Sequence, residues 1–189
     1  PQTLFKKFNI EVMATTDATS DSLNTHLELA KLNFGGRVIP TFRPDDVSDP
    51  QRPGWKSAVS ELAKVSGEDC ATFASYRNAL RNRRDHFKRH GATATDHGVA
   101  NCETLILDTK EQEKLFAVIS SGKFSQEEAN QFRAMMLVEH ARMAADDGLV
   151  MQIHPGSSRS HNHEVAKIYG ADRGFDIPVA TNYVRELQP

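Results

Sequence analysis

Four short apolar runs of this 189-residue chain each end in polar residues, and helical patterns follow every run. The runs lie at residues 10–17, 38–42, 92–98 and 149–156. Strands that alternate with helices usually pair in parallel through right-handed crossovers. The pattern therefore predicts an α/β protein with about four parallel strands and one or two helices after each strand.

The helical stretches carry recognisable start and stop signals. Asp108 with Glu111, and Ser125 with Glu128, match the capping-box spacing at a helix N-terminus. Apolar residues recur at three- and four-residue intervals in the segments 23–30, 55–65 and 73–90. Gly67, Gly91 and Gly148 follow three of the helical segments, as is common at helix ends. A short helix is predicted near residues 182–187.

Composition excludes several classes of protein. Hydrophobic residues make up 39% of the chain, enough for a core, so we expect residues 1–189 to form a single α/β domain. The 23 basic and 25 acidic residues give a net charge of −2, which predicts neither nucleic-acid nor membrane binding. The basic stretch 77–90 is interpreted as the solvated face of an amphipathic helix. Two cysteines and the lack of a secretory leader are typical of a cytoplasmic protein.

Polar residues follow the four predicted strands at their carboxyl ends. These residues are Asp17, Arg43, the pair Asp96 and His97, and His154. Parallel strands bring such ends to one face of the sheet, where α/β proteins place their chemistry. Neighbouring strand residues point to opposite faces, so only one of Asp96 and His97 is expected to face that site.

Five segments in register resemble the uronate isomerase family of the amidohydrolase superfamily. They are Ala-Thr-Thr-Asp at 14–17, Pro-Thr-Phe-Arg-Pro-Asp at 40–45, Thr-Asp-His-Gly at 95–98, Asp-Gly-Leu-Val-Met-Gln-Ile-His-Pro-Gly at 147–156 and Gly-Phe-Asp-Ile-Pro-Val at 174–179. The resemblance implies a distorted (β/α)8 barrel of the TIM type. It also implies an aldose–ketose isomerase, an intramolecular oxidoreductase that converts D-glucuronate to D-fructuronate and D-galacturonate to D-tagaturonate.

The resemblance also implies a divalent metal, typically zinc, held by an HxH pair on the first strand and an aspartate on the eighth. The four predicted strands of this chain match the second to fifth strands of the family's barrel. A complete barrel needs eight strands and about 250 residues. We therefore expect an internal part of a longer enzyme, inactive alone, with weak or absent zinc binding. Half a barrel exposes strand edges and an interior face, so a homo-oligomer is expected.

Site residues are predicted from the chemistry and from the resemblance together. Arg43 is the candidate contact to the sugar-acid carboxylate, because a guanidinium can pair with both oxygens; its alternative is a structural pair with Asp45 or Asp46. Asp96, or its neighbour His97, is the candidate proton-transfer residue. His154 is the candidate metal ligand, and its alternative is a hydrogen-bonded histidine at a strand end. The resemblance assigns Arg159 and Asn162 to substrate binding.

Two other functions stay open at this level. One is a metal-dependent hydrolase of the same superfamily that attacks a small polar substrate with metal-bound water. The other is a non-catalytic fragment that associates with itself. The motif at 161–163, His-Asn-His, resembles a nuclease motif or a metal pair in its letters only, because it lies in a predicted loop.

Overall fold

A computed structural model describes residues 2–32, 35–170 and 173–188. Its strands are short: β1 (Val12–Ala14), β2 (Asp17–Ala18), β3 (Arg37–Ile39), β4 (Phe42–Arg43), β5 (Ala94–His97), β6 (Val150–Ile153), β7 (Ser157–Ser158) and β8 (Ile177–Pro178). Its helices are α1 (Gln2–Lys7), α2 (Asn24–Lys31), α3 (Asp45–Ser48), α4 (Trp55–Ser66), α5 (Phe73–Arg89), α6 (Thr109–Ser121), α7 (Gln126–Asp147), α8 (His163–Tyr169) and α9 (Tyr183–Glu186). No helix in these three ranges is long and apolar enough to cross a membrane.

The first two apolar runs each form a pair of short strands rather than one. β1 pairs with β3, and β2, β4, β5 and β6 follow one another in a second sheet, with every one of these pairings parallel. Pro40 lies between β3 and β4 and has no N–H to donate to a ladder. Hydrogen bonds of 3.0 Å from Thr15 N to Ile39 O and from Asp17 N to Thr41 O continue the pairing across the gap. The four runs therefore lie side by side in chain order, as consecutive strands of a barrel do, and the predicted parallel α/β architecture is confirmed.

The helix boundaries follow the capping signals. Asp108 and Ser125 each accept a hydrogen bond from the backbone N–H three residues on, and both capping boxes are complete. Gly67 and Gly148 stand at the C-caps of α4 and α7 with φ of 77°, a left-handed conformation that favours glycine.

The core lies between the sheet and the helices α4 to α7. Its largest members are aromatic rings, several of which contact one another at centroid distances of 5.0 to 6.3 Å: Phe42, Trp55, Phe73, Tyr76, Phe87, Phe116 and Phe132. Met135, Met136 and Met143 of α7 are buried among them, as their helical spacing predicts.

The basic stretch of α5 corrects one expectation, because two of its arginines are buried rather than solvated. Arg84 is fully buried, forms a two-bond ion pair with Asp147 at 2.5 and 2.9 Å, and lies over the ring of Phe42. Arg83 donates to the backbone carbonyls of Thr19 and Asp21 at 2.9 and 2.6 Å. These partners lie far away in sequence, which is why helical periodicity alone assigned both side chains to the surface.

The fourth apolar run is also less buried than its sequence indicates. β6 is the edge of the four-stranded sheet, and the side chain of Val150 is exposed to 64%. Met151 and Ile153 face the helices and are partly covered, whereas Val150 and Gln152 lie on the open face. After this strand the chain forms α8 and the antiparallel pair β7–β8 instead of a plain loop.

Candidate active site

Three of the predicted site residues meet where β4, β5 and β6 end. Nε2 of His154 lies 2.8 Å from Oδ1 of Asp96, and Nη1 of Arg43 lies 3.6 Å from Oδ2 of the same carboxylate. Parallel pairing of β5 with β6 sets this arrangement, because it places Asp96 opposite Gln152 and His97 opposite Ile153. Asp96 thus stands between a guanidinium and an imidazole, in reach of both.

Arg43 has a second acidic partner. Its Nε donates to Oδ2 of Asp45 at 2.7 Å, so the pair with Asp45 that was one interpretation of Arg43 does form. Arg52 also donates to Oδ2 of Asp45, at 3.3 Å, and the N–H of Gly98 lies 3.2 Å from both oxygens. Arg43 therefore pairs with Asp45 and approaches Asp96 at the same time.

An open cavity of about 970 Å³ lies beside this cluster. Its wall holds three arginines, Arg43, Arg52 and Arg159, together with the carboxylates of Asp45 and Asp46. Burial raises the pKa of the Asp46 carboxyl, although the hydroxyl of Thr19 donates to it at 3.0 Å and acts in the opposite direction. The cavity wall thus combines three guanidinium groups with two carboxylates.

The structure separates the two residues predicted in the loop after β6. Arg159 reaches the cavity wall and pairs with Asp176 at 3.3 Å, with half of its side chain exposed. Asn162 instead caps helix α8, where its side chain accepts a hydrogen bond of 3.1 Å from the N–H of Val165. Among the described residues, Asn162 is not in the cavity wall, and its substrate role stays a prediction.

His97 lies on the other face of β5 from Asp96. Its ring is buried beneath α7, with Nε2 2.9 Å from the hydroxyl of Thr95 and its centroid 5.0 Å from that of His140. Nε2 of His140 in turn lies 2.9 Å from the hydroxyl of Ser48. Burial lowers the pKa of His97 to about 4 and also lowers the pKa of His140, so both rings are neutral near pH 7.

Metal donors are few in this cluster. Within residues 2–32, 35–170 and 173–188, no three His, Cys, Asp or Glu side chains are grouped so that they could hold a metal ion. His154 and Asp96 come closest to such a group, and their mutual contact uses the nitrogen Nε2 of the imidazole. The residues present therefore do not fit a complete zinc site.

Sequence reasoning named Asp45 and Asp46 only as alternative ion-pair partners of Arg43, and it missed Arg52, Gly98 and Thr19. Asp45, Arg52 and Gly98 belong to the cluster, and Asp46 with Thr19 forms part of the cavity surroundings. A signal was present, because only Pro44 separates Arg43 from Asp45 and Asp46, and Gly98 follows His97. Only the pairing of β4 with β5 shows that the two segments meet.

Comparisons with known proteins agree on one family. The family model described as glucuronate isomerase matches residues 1–189. The uronate isomerases of Rhizobium meliloti and Rhizorhabdus wittichii are 45% and 46% identical to the whole chain, which covers 40% and 41% of their respective lengths.

Solved structures give the same relation. The crystal structure of glucuronate isomerase from Caulobacter crescentus has a TM-score of 0.94 at 44% identity, with 100% of this chain and 40% of that chain covered. The uronate isomerase from Thermotoga maritima has a TM-score of 0.92 at 30% identity, with 99% of this chain and 42% of that chain covered. The chain thus spans about 40% of the length of the relatives that it matches.

Proposed function

Because the chain belongs to the glucuronate isomerase family, we propose that it supplies part of the active site of a uronate isomerase of the relatives' length. The longer enzyme would interconvert D-glucuronate with D-fructuronate and D-galacturonate with D-tagaturonate. The observation that carries this proposal is the meeting of Arg43, Asp96 and His154 at three adjacent strand ends, with Arg43 and Arg159 both in the wall of the adjoining cavity.

The proton-transfer step is assigned to Asp96. Conversion of an aldose to a ketose removes the proton from C2, passes through an enediol and returns a proton to C1. The carboxylate of Asp96, held at 2.8 Å by Nε2 of His154, can accept the proton from C2 and return it to C1, or pass it to the ring in between. His97 faces α7 on the other side of β5. We therefore assign it a role in packing β5 against α7 and not in proton transfer.

The arginines are assigned to the substrate carboxylate. A guanidinium pairs with both oxygens of a carboxylate, and a cavity with three arginines suits a sugar acid better than a neutral sugar. This feature favours the isomerase over a hydrolase of the same superfamily that acts on an uncharged substrate.

The divalent metal of the complete enzyme, zinc by resemblance, needs donors beyond those assembled by the described residues. The resemblance places the other donors on the first and eighth strands, whereas this chain offers His154 and Asp96. The assignments above accordingly rest on side chains alone, and His154 stays the candidate ligand of this chain.

Zinc content gives a direct check on that statement. The 189-residue chain, equilibrated with zinc and then desalted, is expected to retain less than about 0.2 zinc per chain, because a stable protein zinc site needs three or four ligands. Elemental analysis measures the content, and the variant His154→Ala sets the background level. Stoichiometric zinc that is lost in His154→Ala would contradict the expectation.

An isomerase assay tests the proposed function. The enzyme of the relatives' length that contains this chain is expected to convert D-glucuronate and D-galacturonate to ketoses, which are measured directly by nuclear magnetic resonance. The 189-residue chain alone is expected to give no turnover. If the longer enzyme converts neither uronate but hydrolyses a sugar lactone, the hydrolase is the correct function.

We also propose the setting in which the protein works. We place it in the cytoplasm, because its cysteines Cys70 and Cys102 are free and buried and a reducing compartment keeps thiols in that state. The exposed apolar side chains Val12, Met13 and Val150 of the sheet support association between copies of the 189-residue chain, as a homo-oligomer of its single α/β domain.

A further inference from the structure

Asp45 occupies an unusual position for an acidic residue. It is the first residue of α3, separated from the end of β4 by one residue, and only 6% of it is exposed. Its carboxylate contacts groups from three separate segments: Arg43 Nε at 2.7 Å, Arg52 Nη2 at 3.3 Å and the N–H of Gly98 at 3.2 Å. A buried carboxylate with two guanidinium partners and a backbone donor is compensated in charge and fixed in place.

Gly98 makes this contact possible. A Cβ at this position would lie 2.9 Å from Asp45 Oδ2 and 3.0 Å from His154 Cε1, and it would overlap the guanidinium of Arg43. Gly98 is not among the glycines with positive φ, so the need for glycine here is one of space and not of backbone conformation. Side chains from β4, α3 and the end of β6 thus converge on one glycine after β5.

We infer that Asp45, anchored on the backbone of Gly98, is a positioning residue that fixes the guanidinium of Arg43 beside Asp96 and His154. An arginine side chain has several freely rotating bonds, and a partner at Nε restricts them before the substrate arrives. The same carboxylate accepts a hydrogen bond from Arg52, which also lies in the cavity wall. The inference deepens the proposed function and rests on it only for its effect on turnover.

The kinetic test uses the enzyme of the relatives' length with Asp45→Asn, which keeps an acceptor for the N–H of Gly98 and removes the charge. The KM for D-glucuronate is expected to rise about tenfold or more while kcat changes less, because ground-state binding of the carboxylate is affected first. Asp45→Glu, which restores the charge, is expected to recover part of the loss. The matched control is Asp49→Asn, since Asp49 follows the same helix but pairs with Arg133 at 3.0 Å.

A spectroscopic measurement on the 189-residue chain gives a readout that does not depend on turnover. The Nε–H of Arg43, assigned by its loss in Arg43→Lys, is expected to give a resolved, slowly exchanging proton resonance. That resonance is expected to broaden or disappear in Asp45→Asn and to persist in Asp49→Asn. If Asp45 only stabilises the fold, Asp45→Asn should lower the melting temperature and leave this resonance unchanged. Loss of the resonance in Asp45→Asn at an unchanged melting temperature would support the positioning role.

The outcomes separate the inference from the proposed function. If Asp45→Asn lowers the melting temperature but leaves both the Arg43 resonance and the KM unchanged, the positioning role is wrong. If the wild-type enzyme turns over no uronate while the Arg43 resonance still depends on Asp45, the proposed function is wrong and the positioning of Arg43 stands.

Discussion

Replacement of Arg43 by methionine in the enzyme of the relatives' length is expected to lower kcat/KM for D-glucuronate by about 10² to 10³-fold, chiefly through a higher KM. The reason is the loss of a charge-assisted, two-bond contact to the substrate carboxylate, which is worth roughly 3 to 4 kcal/mol in a partly enclosed site. Methionine keeps much of the length of the side chain and removes its charge. Steady-state kinetics over a wide range of substrate concentration separates KM from kcat.

Stability sets the control for this substitution, because Arg43 also pairs with Asp45 and approaches Asp96. Asp45 keeps Arg52 and the N–H of Gly98 as partners, so the loss of stability is expected to be small beside the kinetic effect. Arg81→Met is the matched variant, since Arg81 forms an exposed pair with Asp146 at 3.5 Å on α5 and α7. A lower melting temperature with unchanged KM would contradict the substrate role of Arg43.

The order of elements could be predicted from the sequence because its determinants are local. The capping boxes at Asp108 and Ser125 and the C-cap at Gly148 need only neighbouring residues to act, and the structure has all three. The short pairs β1–β2 and β3–β4 were merged in the prediction, because their separation depends on Pro40 within an otherwise continuous ladder.

The site was predicted only as far as its strand-end residues. Alternation along β5 predicts that only one of Asp96 and His97 faces the candidate site, and the structure has the two side chains on opposite faces, with Asp96 beside His154. Contacts between residues far apart in sequence were not accessible, and Asp45 with Gly98, 53 positions apart, is the clearest case. The burial of Arg84 belongs to the same class, because its partner Asp147 lies on another helix.

Acid is expected to destabilise the 189-residue chain strongly between pH 6.5 and pH 4 through His97 and His140. Burial lowers the pKa of His97 to about 4, and the nearby Arg84 acts in the same direction, whereas Asp45 and Asp96 oppose the shift. Burial also lowers the pKa of His140, with His97 and Arg84 adding to the effect.

The direction follows from proton binding. Below pH 6.5 the unfolded chain binds protons at both rings while the folded chain leaves them neutral, so the free energy of unfolding falls as the pH falls. A shift from about 6.5 to about 4 makes His97 alone responsible for roughly 3 kcal/mol of lost stability at pH 4. His140 adds to this loss in the same pH range.

Urea denaturation at pH 7, 6, 5 and 4 measures this loss in free energy. The variants His97→Gln and His140→Gln place an amide near Nε2, the atom that contacts Thr95 in one case and Ser48 in the other. Each is expected to flatten the pH dependence relative to the wild type, and the double variant most of all. His161→Gln, at an exposed loop position, is expected to keep the wild-type slope. A double variant that loses as much stability as the wild type between pH 6.5 and pH 4 would contradict the assignment of the acid response to these two histidines.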